Sequence, residues 1–473
     1  MCTGLSKDVL SNIYKYTLQT IKTYKQKTNA NSNGMKYDVV IIGSGPAGLF
    51  AGFELAKSNL SIAIIDKDPY SSGGLVNDCK LTLHHEVSMD VSKLGINIEK
   101  AKEYIKQVDE KFSQHGPFSK YYGADDEHIV ELAKKASEHG VKLIKSPARH
   151  VGTDNSLKVR EGIKKELEES GVNFLLGTEV QEIEKKDKFN LHTNKGSIQA
   201  DKIIVSPGRG GAYWFLQQAK KLGINHNVSG PVDIGVRIEL KSEFYKEITD
   251  ALYDAKFYIT TPRGDKCRTF CTNPNGRLVF DQKSVIYKGK EYKCINGDAN
   301  MNSKTKNTNF ALLNTVTLTR PYTDTFRYGR EQVVATYNQG GGKPIIQRMQ
   351  DFMNNKRSRI EHFNKGEKGM MMPTMKVPEQ LTPGDIGWAY RYHVVKNIKH
   401  AIETLAKLAP GVMHPSTCLV APEVKFYTAH YETNNFETNV PGLFVAGDGC
   451  GKSRGIVGAA ITGILAAKGL LKK

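Results

Sequence analysis

Two short runs of hydrophobic residues near the start of the chain enclose a stretch of small residues. The runs span residues 39–42 and 62–65 and consist of isoleucine, valine and alanine. Such short apolar runs predict buried strands of a parallel sheet, and the stretch between them predicts a helix. Glycines stand where the first strand meets the helix, at Gly43, Gly45 and Gly48. An acid, Asp66, ends the second strand.

This order of strand, glycine turn, helix, strand and acid is what a bound dinucleotide requires. Gly43 permits the tight turn, Gly45 lets the backbone approach a pyrophosphate, and Gly48 lets the helix pack closely on the sheet. The start of the helix then offers its amides and its dipole to the phosphates. We expect Asp66 to accept hydrogen bonds from the adenosine ribose. The cradle is predicted to include three further residues, Pro46, Ala47 and Lys67.

A second signature lies near the far end of the chain. An apolar strand at 443–446 ends in Gly447 and Asp448, and a helix of small residues begins near Gly455. This resembles the C-terminal signature of FAD proteins with the glutathione-reductase type of fold. The resemblance implies that Asp448 bonds the ribityl chain and that the helix start, with Ile456 and Val457, faces the flavin N1–O2 edge. An ordinary strand-to-helix turn is the alternative, but the two signatures together favour FAD.

Two segments in the middle of the chain agree with this interpretation. Residues 171–180 resemble the strand whose last residue, here Val180, contacts the adenine through its backbone. Residues 200–209, which include Gly208, resemble the later strand that passes beside FAD. Ordinary buried sheet strands with no role in cofactor binding would have the same residue pattern.

Several further segments are similar to a family of single-Rossmann FAD-dependent dehydrogenases of bacteria and plastids, with coverage from about residue 36 to the end. They are 75–81, 150–154, 232–237, 270–276, 305–313, 340–348, 382–386 and 453–460. The resemblance implies FAD and redox chemistry but no particular substrate. The chain has Cys79 where the family commonly has glycine, and His84 and His85 where it has smaller polar residues.

The fold class predicted is α/β, with a Rossmann-type, glutathione-reductase-like FAD domain and an inserted, sheet-rich α+β substrate domain. We assign 1–34 to an N-terminal helix and linker, 35–211 and 438–473 to the FAD domain, and 212–437 to the substrate domain. Helices are expected near 97–113, 125–139 and 155–169, and a strand at 232–240. No second dinucleotide fingerprint follows an apolar strand, which argues against a dedicated NAD(P)H domain.

The composition narrows the setting of the protein. The chain has 473 residues, of which 39% are hydrophobic, and no apolar run approaches the ~18 residues of a membrane span. The N-terminus lacks an apolar signal core, and the seven cysteines form no Cys-x-x-Cys pair. We therefore expect a cytoplasmic protein with reduced thiols and no metal site.

The formal net charge of +18 bears on partners. Solvated surface lysines explain it most simply, while an anionic substrate, an acidic protein electron donor or an RNA are sharper alternatives. No nucleic-acid motif accompanies the basic run at 356–359, so nucleic acid is the least favoured partner.

The catalytic candidates follow from how a flavin works. A flavin carries the electrons, so the protein must place a substrate at flavin N5 and move a proton. The loop after Asp66 and the start of the last helix supply the candidates, which are Cys79, Lys80, His84, His85 and Arg454. A surface lysine, surface or core histidines and a helix-cap arginine are the purely structural alternatives.

The function predicted is an FAD-dependent oxidoreductase that transfers hydride through flavin N5 to or from a small organic substrate. A carbon–carbon or carbon–nitrogen bond is reduced or dehydrogenated, with NAD(P)H as one candidate transient donor. Three alternatives stay open. A geranylgeranyl-reductase-like enzyme predicts a long apolar tunnel, an RNA-modifying flavoprotein predicts a basic face at the flavin entrance, and a non-enzymatic flavin-binding partner predicts a sealed flavin.

Overall fold

The structure is a computed structural model that describes residues 34–69, 75, 80–116, 121–123, 127–228, 230–363 and 370–472. The N-terminal helix predicted within 1–34 and the catalytic candidate Cys79 lie outside these residues, so both stay predictions. Among the helices of the described ranges, none is both long and apolar enough to cross a membrane.

The strands, in chain order, are β1 Met35–Ile42, β2 Ile62–Asp66, β3 Leu81–Thr82, β4 Tyr121–Tyr122, β5 Val141–Ile144, β6 Ala148–Arg149, β7 Asn173–Leu176, β8 Val180–Lys185, β9 Phe189–Thr193, β10 Gly196–Val205, β11 His226–Asn227, β12 Val232–Lys241, β13 Lys256–Thr260, β14 Lys266–Asn273, β15 Arg277–Tyr287, β16 Lys290–Asp298, β17 Asn307–Val316, β18 Ile345–Arg348, β19 Thr382–Pro383, β20 Cys418–Phe426, β21 His430–Tyr431 and β22 Leu443–Val445. The helices are α1 Pro46–Leu55, α2 His85–Ser88, α3 Ile98–Ser113, α4 Glu127–Glu138, α5 Ser156–Glu169, α6 Gly208–Lys221, α7 Lys246–Ala251, α8 Thr325–Gln339, α9 Met349–Met353, α10 Tyr392–Ala406 and α11 Ile456–Leu471.

The first sheet confirms the predicted Rossmann-type domain. Its strand order is β7-β2-β1-β10-β9-β8, and β22 pairs with β10. The strands β7, β2, β1, β10 and β22 are parallel to their neighbours, whereas β8 and β9 extend the sheet as an antiparallel meander. The predicted helices at 97–113, 125–139 and 155–169 are present as α3, α4 and α5. The C-terminal strand thus returns to the sheet that the N-terminal strand begins.

Helices α1 and α11 pack against each other so closely that side chains are excluded at the contact. A Cβ atom on Gly463 of α11 would lie 2.0 Å from the carbonyl oxygen of Ala47 in α1. Only glycine permits this separation. Both helices are buried along most of their length, because their sequences are dominated by glycine, alanine and aliphatic residues. The two ends of the chain are therefore joined at the start of the dinucleotide-binding helix.

The second sheet has eight strands in the order β19-β18-β20-β12-β17-β14-β13-β5. The predicted strand at 232–240 is its central strand, β12. Strand β5 pairs with β13, so this sheet takes an edge strand from within the stretch 35–211 that the sequence assigns to the first domain. The apolar positions of β12 pack with helices α8 and α10 in one large core.

The opposite face of the second sheet is polar yet buried. Along β12 the apolar residues alternate with Asp233, Arg237 and Glu239, and each of these three is 0% exposed. Successive side chains of a strand point to opposite faces, so the three share the face turned away from the apolar core. The hairpin of β15 and β16 contributes a contact from Asn296 to Arg237 on this face. Charged residues rarely form a buried sheet face, and this face therefore belongs to the candidate functional site described below.

Candidate functional site

The glycine turn after β1 has the geometry of a phosphate cradle. Gly43 adopts a φ of +105°, and a Cβ on it would lie 2.2 Å from the carbonyl oxygen of Ser206. A Cβ on Gly48 would lie 1.9 Å from the carbonyl oxygen of Gly43. Gly45 caps α1 without a side-chain hydrogen bond, and Pro46 and Ala47 begin the helix. The first amides of α1 are thus left for an anion, which fits the pyrophosphate of a dinucleotide.

Asp66 ties this turn to the end of β2. Its Oδ2 accepts hydrogen bonds from the backbone N of Ser44 at 2.7 Å and from Ser44 Oγ at 2.6 Å. Its Oδ1 accepts one from the backbone N of Asp68 at 3.0 Å. The carboxylate therefore holds the cradle in shape, and its predicted bond to a ribose hydroxyl remains a prediction. Lys67 beside it is exposed.

The residues predicted from the C-terminal signature come together against Gly208. A Cβ on Gly449, next to Asp448, would lie 2.2 Å from the carbonyl oxygen of Gly208. The carboxylate of Asp448 accepts hydrogen bonds from the backbone N of Gly455 at 3.1 Å and from Ser453 Oγ at 2.9 Å. Asp448 thus orders the loop that leads into α11.

The remaining cofactor candidates lie at strand and helix ends, but one of them does not lie at the end that the sequence predicts. Gly447 has a φ of +78°, and its backbone N donates to Thr462 Oγ1 at 2.9 Å. Ile456 and Val457 form the first turn of α11, which Gly455 caps with no side-chain hydrogen bond. Val180 opens β8, although the sequence predicts it as the last residue of a strand. Two residues before it, the backbone N of Thr178 donates to the carbonyl oxygen of Asp66 at 2.9 Å.

Arg454 lies beside the start of α11 and contacts Asp233 on strand β12 of the second sheet. Its guanidinium carbon is 3.3 Å from the ring centroid of Tyr427, and its NH1 is 4.0 Å from Oδ2 of Asp233. The side chain is 43% exposed, so it is neither a free surface arginine nor a buried one. Burial lowers the pKa of Arg454 from its ordinary value. Arg268 also binds Asp233, at 2.7 Å, so two arginines share this buried carboxylate.

Lys80 is buried, which contradicts the alternative that it is a solvated surface lysine. Its side chain is 7% exposed, and its Nζ lies 3.1 Å from Oδ2 of Asp254. The ammonium also donates to the carbonyl oxygen of Thr272 at 2.8 Å and lies 3.9 Å from Cys271 Sγ. Lys80 therefore links the loop after Asp66 to the second sheet. Whether it serves the flavin or a substrate stays a prediction.

His84 and His85 lie at the start of the short helix α2. Their rings stack with centroids 4.6 Å apart, and His84 Nδ1 accepts a hydrogen bond from the backbone N of Glu86. Burial lowers the pKa of His84, and the charge of His85 lowers it further. Among the contacts of the described residues, none joins either ring to Lys80 or Arg454, so the catalytic role of both histidines stays a prediction.

A group of buried polar residues, which we term the polar cluster, surrounds Lys80 and continues along the polar sheet face. It consists of Lys80, Arg237, Asp254, Lys256, Cys271, Thr272, Asn273, Asn309 and Glu423. Sequence reasoning singled out Lys80 alone. For five of the others a signal existed, because they stand in the segments that carry the family resemblance, namely Arg237, Cys271, Thr272, Asn273 and Asn309. Asp254, Lys256 and Glu423 lie outside those segments.

Asp254 is the shared counter-ion of two lysines in the polar cluster. Its Oδ2 lies 2.6 Å from Nζ of Lys256 and 3.1 Å from Nζ of Lys80. Although burial opposes ionisation, the two lysines hold the pKa of Asp254 well below its usual range. Burial lowers the pKa of Lys256, and Lys80 lowers it further, while Asp254 opposes both effects. The site thus holds a carboxylate that stays charged and an ammonium that is easier to deprotonate than usual.

The polar cluster connects to the predicted flavin turn through strand β20. Glu423 lies 3.5 Å from Arg237 Nε and 2.8 Å from Lys425 Nζ, so it joins two cations. Just beyond the strand, Thr428 Oγ1 donates to the carbonyl oxygen of Asp448 at 2.6 Å. From Asp233 to Arg237 along β12 is ~13 Å, at ~3.3 Å per strand residue. The polar face therefore begins at Arg454 and the turn of Asp448 and leads to the cluster.

Comparison with known proteins agrees with this architecture. A family model described as "FAD binding domain" matches residues 38–77, and one described as "FAD-dependent protein, C-terminal domain-like" matches residues 231–426. A third model, "Pyridine nucleotide-disulphide oxidoreductase", matches residues 128–241. The chain is an FAD-dependent oxidoreductase. FAD is thus its cofactor, and the glycine turn, Asp66 and the start of α11 stay the parts of the oxidoreductase that are predicted to hold it.

Individual relatives of the oxidoreductase are distant. The thiamine thiazole synthase of Pyrococcus furiosus is 26% identical over 47% of this chain and 77% of its own length. The chain spans 60% of the thiamine thiazole synthase of Pyrococcus abyssi, at 27% identity over 38% of this chain. An uncharacterized protein of Clostridium beijerinckii is 22% identical over 95% of this chain and 83% of its own. Among solved structures, glycine oxidase from Geobacillus kaustophilus has a TM-score of 0.40 at 15% identity, covering 93% of this chain and 96% of that one.

Proposed function

We propose that this oxidoreductase transfers a hydride between FAD and a small, polar organic substrate bound against the polar face of the second sheet. The bond that changes is a carbon–carbon or carbon–nitrogen bond, as the sequence predicts. When bound, FAD supplies the hydride acceptor or donor at N5. The protein's own residues must then hold the substrate, exclude water and move one proton.

The observation that carries the proposal is the buried charge beside the flavin turn. Arg454, half exposed at the start of α11, stands between Tyr427 and Asp233 at the mouth of the polar face. A guanidinium in this position suits a carboxylate, because it offers two parallel N–H donors. Asp233 orients Arg454 and cannot itself bind an anion. The charged side chains along the face argue against the long apolar tunnel that a prenyl chain would need.

The proton-handling group is expected in the polar cluster. Lys80 and Lys256 face the same carboxylate, and burial makes the ammonium of Lys256 easier to deprotonate because it lowers the pKa. A lysine whose pKa is lowered in this way exchanges a proton nearer to neutral pH than an exposed one. We assign proton transfer to this lysine pair and orientation of the pair to Asp254.

The test is anaerobic absorbance spectroscopy of the FAD-bound protein. We expect the flavin band to bleach with NADH or NADPH and to recover on adding small unsaturated carboxylates or imino acids. Alternatively, bleaching by a saturated carboxylate or amino acid would show the dehydrogenase direction. Bleaching by dithionite alone, with no recovery from any organic acceptor, would support the non-enzymatic flavin-binding alternative and contradict the proposal.

A variant makes the test specific to the proposed substrate site. Arg454→Met should raise KM for a carboxylate substrate by about 10- to 150-fold, since a charge-assisted hydrogen bond contributes ~1.5–3 kcal/mol. The matched control is Arg330→Met. Arg330 also lies over a tyrosine ring, that of Tyr213, at 5.8 Å, but it sits on α8 outside the polar face. Equal KM values for the two variants would refute the role of Arg454.

A further inference from the structure

The polar cluster contains buried polar atoms that the protein itself does not satisfy. Six such atoms have no hydrogen-bond partner among the described residues, namely Arg237 Nε, Thr272 Oγ1, Asn273 Oδ1, Asn309 Nδ2 and both carboxylate oxygens of Glu423. The five residues are 0% exposed, and Arg237 Nε lies 3.5 Å from Glu423 Oε2, beyond hydrogen-bond geometry. Native proteins rarely leave such atoms unsatisfied, and a concentration of them indicates a place where a ligand or an ordered water binds. Two of the six atoms, on Arg237 and Asn309, are N–H donors that an acceptor group would satisfy.

The charges around these atoms favour an anion. Asp254 binds Lys80 and Lys256, and Glu423 binds Arg237 and Lys425, while Lys425 also binds Asp281 at 3.1 Å. The four cations therefore exceed the three carboxylates by one charge, which leaves a net positive field in this low-dielectric site. A planar carboxylate would meet both the field and the unsatisfied N–H donors.

Cys271 marks the edge at which a ligand can reach these groups. Its backbone has a φ of +50°, in the left-handed region that non-glycine residues rarely adopt, and Arg237 NH1 donates to its carbonyl oxygen at 2.8 Å. Its Sγ lies 3.8 Å from Asn273 Nδ2. Cys271 is half-buried, whereas the other free cysteines of the described chain are buried, namely Cys267, Cys294, Cys418 and Cys450. Strain of this kind persists where surrounding contacts impose it, often at functional sites.

We propose that the polar cluster binds a small organic carboxylate, with Arg237 Nε and Asn309 Nδ2 as its donors and the thiol of Cys271 at the entrance. The proposal rests on the proposed function, because it adds to the carboxylate site at Arg454 a second one, in the part of the substrate site that lies farther from the flavin turn. It also makes Cys271 a modification site for anionic electrophiles, which is independent of turnover.

The test compares alkylation of Cys271 by iodoacetate and iodoacetamide in the FAD-bound protein, read by peptide mass spectrometry. In both reactions the sulfur–carbon bond forms, iodide leaves and the thiol proton passes to solvent. The ratio of the iodoacetate rate to the iodoacetamide rate should be at least about fivefold higher than for the same cysteine in urea, since one nearby unit charge supplies that factor. Crotonate should slow the alkylation. Equal ratios in folded and unfolded protein, with no protection by crotonate, would overturn the proposal.

Variants separate the carboxylate site from general reactivity. Arg237 is fully buried and its replacement disturbs folding, so the variant used is Lys80→Met, whose side chain is 7% exposed and whose partner Asp254 keeps Lys256 as a counter-ion. It should lower the iodoacetate preference towards the unfolded ratio while circular dichroism and FAD content stay unchanged. The control is Lys102→Met, because Lys102 is an exposed lysine that also pairs with a carboxylate, at 3.0 Å from Glu99. If no organic compound reduces or reoxidises the flavin but the preference at Cys271 persists, the hydride-transfer function fails and the carboxylate site stands.

Discussion

Replacing Gly463 with alanine should weaken FAD binding, although the proposed cradle does not include this residue. Its added Cβ would lie 2.0 Å from the carbonyl oxygen of Ala47, and real Cβ atoms essentially never approach closer than 3.0 Å. Helices α1 and α11 must therefore separate locally by at least about 1 Å, the difference between these two distances. The atom in the way belongs to the backbone, so no side-chain rotation relieves the contact.

The cost falls mainly on the FAD-bound state. Ala47 lies in the first turn of α1, whose amides and adjoining glycines are predicted to form the phosphate cradle. Without FAD the helix start can shift, but with FAD bound such a shift would lengthen the hydrogen bonds that these amides would donate to the pyrophosphate. Overpacking of a close contact costs ~1–3 kcal/mol, which corresponds to roughly a 5- to 150-fold loss of affinity. We expect the dissociation constant for FAD, measured by quenching of flavin fluorescence, to rise within this range.

The matched control is Gly52→Ala in the same helix α1. A Cβ there would lie 3.0 Å from Cδ1 of Ile64, the end of a flexible side chain that can move aside. Alanine also favours the helix by ~1 kcal/mol relative to glycine. Gly52→Ala should therefore bind FAD about as well as the unmodified protein. The steric argument is refuted if Gly463→Ala binds FAD as tightly as Gly52→Ala does.

Three further predictions concern charged groups. Burial raises the pKa of Glu239 to about 7, so the stability that protonated Glu239 contributes is complete below pH ~4.5 and is lost as the pH rises through 7. Glu239→Gln should therefore raise the free energy of unfolding by up to ~3 kcal/mol at pH 8 and leave it unchanged at pH ~4.5, as measured by thermal melts at both pH values. The pKa of Asp254 is lowered, so the stability that the Asp254 carboxylate contributes is present above pH ~4 and is lost in acid. Asp254→Asn leaves Lys80 and Lys256 facing each other and should lower the free energy of unfolding at pH 7 by ~3–5 kcal/mol in a urea titration. A loss under ~1 kcal/mol would show that the two lysines find other partners. Arg454→Met should leave FAD content, measured by flavin absorbance, unchanged while KM for a carboxylate rises, and loss of FAD would place Arg454 in the cofactor site instead.

The FAD cradle could be predicted from sequence because its geometry is local. Gly43 and Gly48 are required by contacts of 2.2 and 1.9 Å around one strand–turn–helix unit. Such constraints leave the same glycine spacing in any chain that forms the turn. The C-terminal turn at Asp448 was predictable for the same reason. Asp66 was placed at the end of its strand, although its hydrogen bonds to Ser44 were not foreseen.

The polar cluster could not be predicted because its members come from distant parts of the chain. Lys80 meets Asp254, Thr272 and Cys271 only after the loop that follows Asp66 docks on the second sheet. Nothing in the sequence around Lys80 distinguishes a docked lysine from a solvated one. The alternation of apolar and polar residues along a strand shows which face each residue occupies, but it does not show which part of the chain covers that face.

Strand β12 shows why the cluster points to function. Its alternation of apolar residues with Asp233, Arg237 and Glu239 is typical of a strand with one solvated face, yet both faces are buried. Buried ion pairs seldom stabilise a fold more than apolar residues of similar volume would. A sheet that buries Arg237 with an Nε that lacks a hydrogen bond therefore gives up stability that an apolar face would have kept. Binding of a carboxylate at this face would recover that loss, and the recovery would appear only when the ligand is present.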